Sequence, residues 1–185
     1  YVGVLHAAIL SEAGFSNKLA NLPSSVYGWA APAPVLIAWL WPSTRYFRRL
    51  WVLSYLLKGT TGVLAALLFY AAPTTWQAAG IVLHALCLGV SNGMTNMCQW
   101  ELIGRGMTAQ RKAWTLGVTF GAGPIFAVIG SCASQLILKG DFLGWLRITP
   151  LGEPLSYIVL FGATGPAMLI AAAAAWFASL PAEDR

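Results

Sequence analysis

Three side-chain amides recur at helical spacing in one apolar stretch of the sequence. Asn92, Asn96 and Gln99 stand at positions i, i+4 and i+7, which places them on one face of an α-helix. Ser91 and Thr95 widen that face. Such groups can hydrogen-bond a polar solute, or they can hydrogen-bond neighbouring helices and hold a bundle together. Three successive amide layers favour a solute pathway over packing alone.

Ionisable side chains also occur near the start of the chain. Glu12 is the most notable, because a carboxylate at depth in a bilayer is costly to charge and can exchange a proton near neutral pH. If the first apolar segment is short, Glu12 lies in an outer loop instead and loses this role. His6 is interpreted as a hydrogen-bonded interior histidine in preference to a proton relay.

Lys58 interrupts a third apolar run, at the sequence Lys58-Gly59-Thr60-Thr61-Gly62. It lies about two turns from a basic loop, so snorkelling to the headgroups is the favoured interpretation. Pairing with Glu12 or with an anionic solute is the alternative.

Familiar catalytic apparatus is absent from the sequence. It contains no HExxH, GxSxG or Walker motif and no catalytic pair of carboxylates,. Its two histidines and three cysteines have no metal-ligand spacing, and the cysteines read as small buried hydrophobes,. We therefore predict a protein that is not an enzyme and has no metal site and no cofactor.

The composition is that of a membrane protein. The 185 residues are 58% hydrophobic and 9% charged, with a mean hydropathy of +0.68, whereas soluble domains are about 25% charged. One crossing needs about 20 residues, so the length has room for roughly six helices and little else. The bilayer is the first predicted partner.

Charges and prolines divide the chain into six apolar segments. We predict an all-α, polytopic membrane protein whose six transmembrane helices form one bundle, with spans near residues 1–20, 24–41, 50–71, 76–103, 114–138 and 157–180,. The sequence opens on Tyr1 without a methionine. We expect it to be a segment of a longer protein.

Basic residues set the predicted orientation. Most of the 11 lysines and arginines fall in the loops after spans two and four and in the tail, which the positive-inside rule assigns to the cytoplasm. Both ends of this segment are therefore predicted to be cytoplasmic. The net charge of +5 suits a basic face beside anionic lipid, and no nucleic-acid motif accompanies it.

Glycines and prolines mark the last two predicted spans. In span five, Gly117 and Gly121 form a small-xxx-small pair that permits close helix approach, and Pro124 is expected to bend the helix. Span six repeats the device with Gly165 and Pro166. The sequence is compatible with two roles for these helices: bent helices that rock against each other, or static packing.

The cytoplasmic end of span four carries a predicted ion pair between Glu101 and Arg105, four residues apart with the acid first,. With the neighbouring loop arginines it is expected to form a gate, whose members are Arg45, Arg48, Arg49, Glu101, Arg105 and Arg111.

Together these features resemble the N-terminal half of a major facilitator superfamily transporter. The most specific part is the run from Gly117 to Gly130, in which Gly121-Ala122-Gly123-Pro124 is similar to the fifth-helix signature of that family. The sequence departs from the family after span two, where residues 42–49 keep the arginines but lack the usual glycine and aspartate. Span four also lacks the family's arginine.

The resemblance implies a 12-span transporter of two six-helix bundles with a central site between them. Spans one and four would line the cavity, and a second half, from the same gene or another copy, would be the partner. We expect a secondary transporter of a small solute that works by alternating access in a bacterial inner membrane, with Glu12 as a site for proton coupling. A non-transporting membrane scaffold or assembly factor is the alternative. The predicted pathway residues are His6, Glu12, Asn92, Thr95, Asn96 and Gln99.

Overall fold

The computed structural model describes residues 2–40, 46–142 and 144–177, and these are mainly helical. A two-residue antiparallel strand pair, joining Asp141 to Arg147 and Phe142 to Leu146, interrupts the helices. The elements in order are α1 (Val2–Glu12), α2 (Asn17–Ala30), α3 (Ala33–Leu40), α4 (Phe47–Ala71), α5 (Thr74–Gly106), α6 (Ala109–Lys139), β1 (Asp141–Phe142), β2 (Leu146–Arg147), α7 (Leu155–Gly162) and α8 (Thr164–Phe177).

Four helical segments are long and apolar enough to cross a membrane. They span Phe47–Ala71, Thr74–Gly104, Ala109–Lys139 and Leu155–Phe177, and the last of these comprises α7 and α8. This agrees with the prediction of a helical membrane protein. The count of six spans remains a prediction, because α1, α2 and α3 are each too short to be included.

The first 41 residues are divided differently from the prediction. The structure ends α1 at Glu12 and begins α2 at Asn17, in place of one helix over 1–20 and another over 24–41. Gly14 adopts a left-handed φ of 81°, which a helix cannot contain. The Ser16 side chain then accepts a hydrogen bond from the Leu19 amide and caps α2,.

Prolines account for two of the breaks between consecutive helices, those between α2 and α3 and between α7 and α8. Pro32 and Pro34 have no amide hydrogen, so the carbonyls of Gly28 and Ala30 lack a helical donor and the chain turns between α2 and α3,. Pro166 acts in the same way on the Gly162 carbonyl, and α7 and α8 meet at this point. The predicted ends at positions 41 and 180 lie outside the described residues.

Helix α4 lies at the centre of the packing. It contacts α5 on one side and α7 and α8 on another, while α5 also packs against α2 and α3, and α1 packs against α2. Apolar side chains from five helices form the core, namely Ile9, Leu10, Ala20, Ala65, Ala66, Phe69, Ala78, Ile81, Tyr157 and Phe161.

Close helix approach occurs at a glycine pair that the sequence analysis did not single out. A Cβ added at Gly89 would lie 2.5 Å from the Tyr27 carbonyl oxygen and 2.8 Å from the Ala30 Cβ. At Gly93 it would lie 2.9 Å from Pro34 Cδ. The α5 backbone therefore touches α2 and α3 directly. By contrast, no such neighbour lies within 4 Å of the predicted packing glycines of α6, which are Gly117, Gly121, Gly123 and Gly130.

Helix α6 stands apart from the other long helices. It has no buried residue among those described, and its contacts are with β1 and α7 near its C-terminal end. Its start is held by Lys112, whose Nζ donates to the Gly104 carbonyl oxygen at the end of α5 over 2.8 Å. It runs unbroken through Pro124.

The glycine contacts predict a difference between two matched substitutions. Gly89→Val should destabilise the protein by about 1 to 3 kcal/mol, because the new side chain overlaps the α2 backbone. Gly121→Val meets open space and should cost much less. Thermal unfolding of the purified protein in detergent, followed by tryptophan fluorescence, measures both. Equal losses would indicate a common effect on helix propensity and contradict the packing described here.

Candidate functional site

Three polar residues of α4 follow one another along its α5-facing side. Ser54, Lys58 and Thr61 stand at i, i+4 and i+7, so they share a face. Ser54 Oγ lies 2.9 Å from Thr95 Oγ1 of α5, and Lys58 Nζ donates to the same Thr95 oxygen over 3.3 Å. We call Ser54, Lys58 and Thr95 the hydroxyl–ammonium cluster.

Lys58 lies near the middle of α4. It follows Phe47 by 11 residues, or about 17 Å of helix at 1.5 Å per residue. Thr95, which accepts the hydrogen bond from Lys58, also contacts Ser54, one turn nearer to Phe47 on α4. The Lys58 side chain therefore points toward the Phe47 end of α4, which is the direction that snorkelling requires. Ser54 is still about 10 Å of helix from Phe47. The ammonium therefore stops at the hydroxyls, well short of the helix end.

One hydroxyl of the cluster donates to the other, and the second one donates to a carbonyl of its own helix. Thr95 Oγ1 is 2.9 Å from the Ser91 carbonyl oxygen, and Ser54 Oγ is 2.6 Å from that of Trp51. Whichever of the two hydroxyls is the donor, the Thr95 oxygen keeps a lone pair for the ammonium. The Tyr55 ring adds a cation–π contact, with its centroid 5.3 Å from Lys58 Nζ,.

A histidine pair, His6 of α1 and His84 of α5, lies further along the same interface. The two side chains are 3% and 4% exposed, and their rings meet edge to face with centroids 5.6 Å apart. Phe161 stacks on His6 and meets the His84 ring at a steep angle. The only two histidines of the chain are thus brought together from separate helices.

Thr61 links the α4 backbone to His84. Its Oγ1 is 2.7 Å from the Leu57 carbonyl oxygen and 2.9 Å from His84 Nδ1. The hydroxyl has a single hydrogen, so it either donates to the carbonyl and accepts from Nδ1–H, or it donates to an Nδ1 that carries no hydrogen. In both arrangements Nδ1 has a hydrogen-bond partner on α4.

The amide side of α5, defined by Asn92, Asn96 and Gln99, meets more than one neighbour. Asn92 Nδ2 donates to Tyr27 Oη of α2 over 2.8 Å, whereas Asn96 is exposed and Gln99 half-buried. Thr95 turns to α4 instead. The predicted single stripe is therefore shared between a packing contact, an open surface and the hydroxyl–ammonium cluster.

Asn96 lines an open groove of about 640 Å³ between α3 and α5. The groove is mainly apolar, and Glu101 supplies its one carboxylate among the residues described. Its walls are formed by Ala31, Val35, Ala38, Gly93, Asn96, Met97, Trp100, Glu101 and Gly104.

Glu12 does not lie in the middle of a span. It is the last residue of α1 and is exposed. The Tyr157 hydroxyl contacts both its carboxylate and that of Glu153, the latter at 3.0 Å. The interpretation of Glu12 as a deep proton carrier is therefore lost, because α1 ends four residues before α2 caps.

The predicted gate is described only in part. Arg45 and the side chain of Arg105 lie outside the described residues, so their ion pairs are not placed. Arg48 and Arg49 are exposed in the first turn of α4, and Arg111 is exposed in the first turn of α6. The α4 start and the α5 end meet, since Cys98 Sγ lies 3.6 Å from the Phe47 carbonyl oxygen.

Sequence reasoning missed the hydroxyl–ammonium cluster as a site. The signal was present in the spacing of Ser54, Lys58 and Thr61, which matches the helical spacing that drew attention to the amides. From the sequence, snorkelling is favoured for Lys58, with pairing to Glu12 or to an anionic solute as the alternative, and Lys58 is not connected with Ser54 and Thr95.

No protein-family model, curated protein or solved structure matches this chain. The site is therefore interpreted from its own geometry.

Adjacent threonines provide a test of the His84 hydrogen bond. Thr61→Val keeps the side-chain shape but leaves His84 Nδ1 without its hydrogen-bond partner, and it should cost about 1 kcal/mol. Thr60→Val is the matched control, because the exposed Thr60 hydroxyl bonds only carbonyls of its own helix. Thermal unfolding in detergent should separate the two variants. If Thr60→Val lowers the stability as much as Thr61→Val does, the hydrogen bond between Thr61 and His84 makes no measurable contribution to stability.

Proposed function

We propose that this chain forms one six-helix half of a secondary transporter, which moves a small solute by alternating access. The observation that carries the proposal is the position of Lys58. A charged side chain near the middle of a membrane-length helix is expensive and is usually kept because it serves a solute or an ion. Its ammonium meets the Thr95 hydroxyl of α5 and none of the described carboxylates.

The amide side of α5 supports a pathway next to this charge. Asn96 is exposed and Gln99 is half-buried, although both amides lie in a helix long enough to cross a membrane. An amide turned toward lipid tails would lose its hydrogen bonds with water. We therefore assign this side to a water-filled cavity in the whole protein, with Asn92, Thr95, Asn96 and Gln99 along it.

The exposed α6 supports a second half as partner. Gly117, Gly121, Gly123, Pro124 and Gly130 face no other described part of the chain, so they are free to meet another bundle. The resemblance to the major facilitator superfamily leads us to propose the same arrangement here. The α7–α8 break near Gly165 and Pro166 would give a point at which the bundle can bend.

The basic residues support the proposed orientation. Arg48 and Arg49 begin α4, and Arg111 and Lys112 begin α6. The contacts of Cys98 with Phe47 and of Lys112 with Gly104 place these helix ends together at one end of the bundle. We propose that this end is the cytoplasmic face, in a bacterial inner membrane.

A membrane scaffold or assembly factor is the second candidate. The packing of α6 favours it, since a helix with no buried residue in the described structure is suited to bind another protein. A gene that encodes six further spans after Arg185 would favour transport, and a gene that stops there would favour the scaffold.

Cysteine accessibility tests the pathway. In the full-length protein with its native cysteines replaced, Asn92→Cys, Asn96→Cys and Gln99→Cys should react with a membrane-impermeant thiol reagent in intact membranes. We expect labelling because water fills the cavity beside α5 in at least one state of the transport cycle.

Leu67→Cys is the matched control. Leu67 is 59% exposed in α4 but apolar, so it should face lipid and stay unlabelled. Failure of all three amide positions to react under every condition would exclude a carrier and leave the scaffold.

A further inference from the structure

Lys58 has more hydrogen-bond donors than the described protein has acceptors for them. An ammonium group carries three N–H donors, and Thr95 Oγ1 accepts one of them. The Tyr55 ring stabilises the charge but does not neutralise it. Water can serve the remaining donors because the side chain is only half-buried.

None of the described carboxylates lies next to Lys58. Glu12 and Glu153 share the Tyr157 hydroxyl, and Tyr157 packs on Phe69, about 17 Å along α4 from Lys58. Asp141 lies 3.9 Å from Arg147 in the strand pair. The predicted pairing of Lys58 with Glu12 is therefore absent.

Glu101 is the remaining described carboxylate, and it faces a different way. It follows Thr95 by six residues, which at about 100° per residue turns it roughly 120° around α5. It lines the groove with α3, and it lies about 9 Å along α5 from Thr95. No described carboxylate lies within the 4.0 Å of Lys58 Nζ that an ion pair requires.

The surroundings of the ammonium supply no described negative charge. Its described contacts are the Thr95 hydroxyl and the Tyr55 ring. Gln99 lies about one turn of α5 beyond Thr95 and carries amide N–H groups, whereas the Asn92 amide is bonded to Tyr27 of α2. An oxyanion satisfies such a set, whereas a cation would be repelled by Lys58 and a neutral solute would leave the charge uncompensated.

We propose, building on the transport function above, that the solute carries an oxyanion, a carboxylate or a phosphate, and that Lys58 is its counter-ion. In the empty state water solvates the ammonium. Binding replaces that water with the oxyanion, which accepts hydrogen bonds from Nζ while Thr95 holds the ammonium in place.

Equilibrium binding to the purified full-length protein in detergent tests the proposal without requiring transport. The probes are acetate, lactate, succinate and inorganic phosphate, with acetamide, lactamide and succinamide as uncharged counterparts, each at millimolar concentrations. Tryptophan fluorescence and calorimetry report binding. At least one oxyanion should bind the wild-type protein, and its uncharged counterpart should bind at least tenfold more weakly.

Variants of two lysines locate the site. Lys58→Met should weaken the binding of that oxyanion by at least tenfold, and Lys58→Arg should restore most of it because the charge is kept. Lys18→Met is the matched control, because Lys18 is exposed at the start of α2, and it should bind as the wild type does. If Lys58→Met does not fold, Thr95→Val should still weaken binding while leaving the fold intact.

Three results would overturn the proposal: no oxyanion of the panel binds, the uncharged counterparts bind equally well, or Lys58→Met and Thr95→Val bind like the wild type. Further results would separate an error in the proposed transport function from an error in the assignment of the solute as an anion. Oxyanion binding through Lys58 in a protein that gives no uptake in proteoliposomes would refute transport alone. Uptake of an uncharged solute that is unaffected in Lys58→Met would refute the anion assignment alone.

Discussion

Helices α4 and α5 bury polar side chains against each other, and this contact constrains the rest of the described structure. Five of the seven buried polar residues in the described part of the chain belong to these two helices: Ser54, Thr61, His84, Ser91 and Thr95. A buried polar group costs free energy unless it finds a partner. The pairs Ser54–Thr95 and Thr61–His84 supply partners for four of them, and they do so only in one register. The two helices are therefore aligned by hydrogen bonds as well as by apolar packing.

The opposite side of α5 is held by shape instead. Gly89 and Gly93 let the backbone of α2 and α3 come close, and Asn92 adds one hydrogen bond to Tyr27 at that contact. Helix α5 is thus fixed on two sides by different physical means. What remains is the strip with Asn96 and Gln99, and this strip can face water because both sides beside it are already packed.

Sequence alone predicted the long helices well, because apolar runs bounded by charges and prolines leave few choices for α4, α5 and α6. It placed the first helix wrongly, although Gly14 and the Ser16 cap were available as signals of a break. The partners of individual residues were harder. Gly89 and Gly93 have the same small-xxx-small spacing as Gly117 and Gly121, and spacing does not tell which pair meets a neighbour. The joining of His6 to His84 depends on the arrangement of separate helices, which no local pattern contains.

Helix α6 contributes a membrane-length segment that adds little to the interior of the bundle beyond Leu138 near its end. Its first turn is bonded to α5 through Lys112, and its C-terminal end contacts β1 of the strand pair. Between these ends its described residues do not pack along α4 or α5. Evolution can therefore exchange one apolar residue for another along α6 with little penalty to the folding of its neighbours. Any position of α6 that resists such drift must owe its constancy to whatever touches the helix from outside.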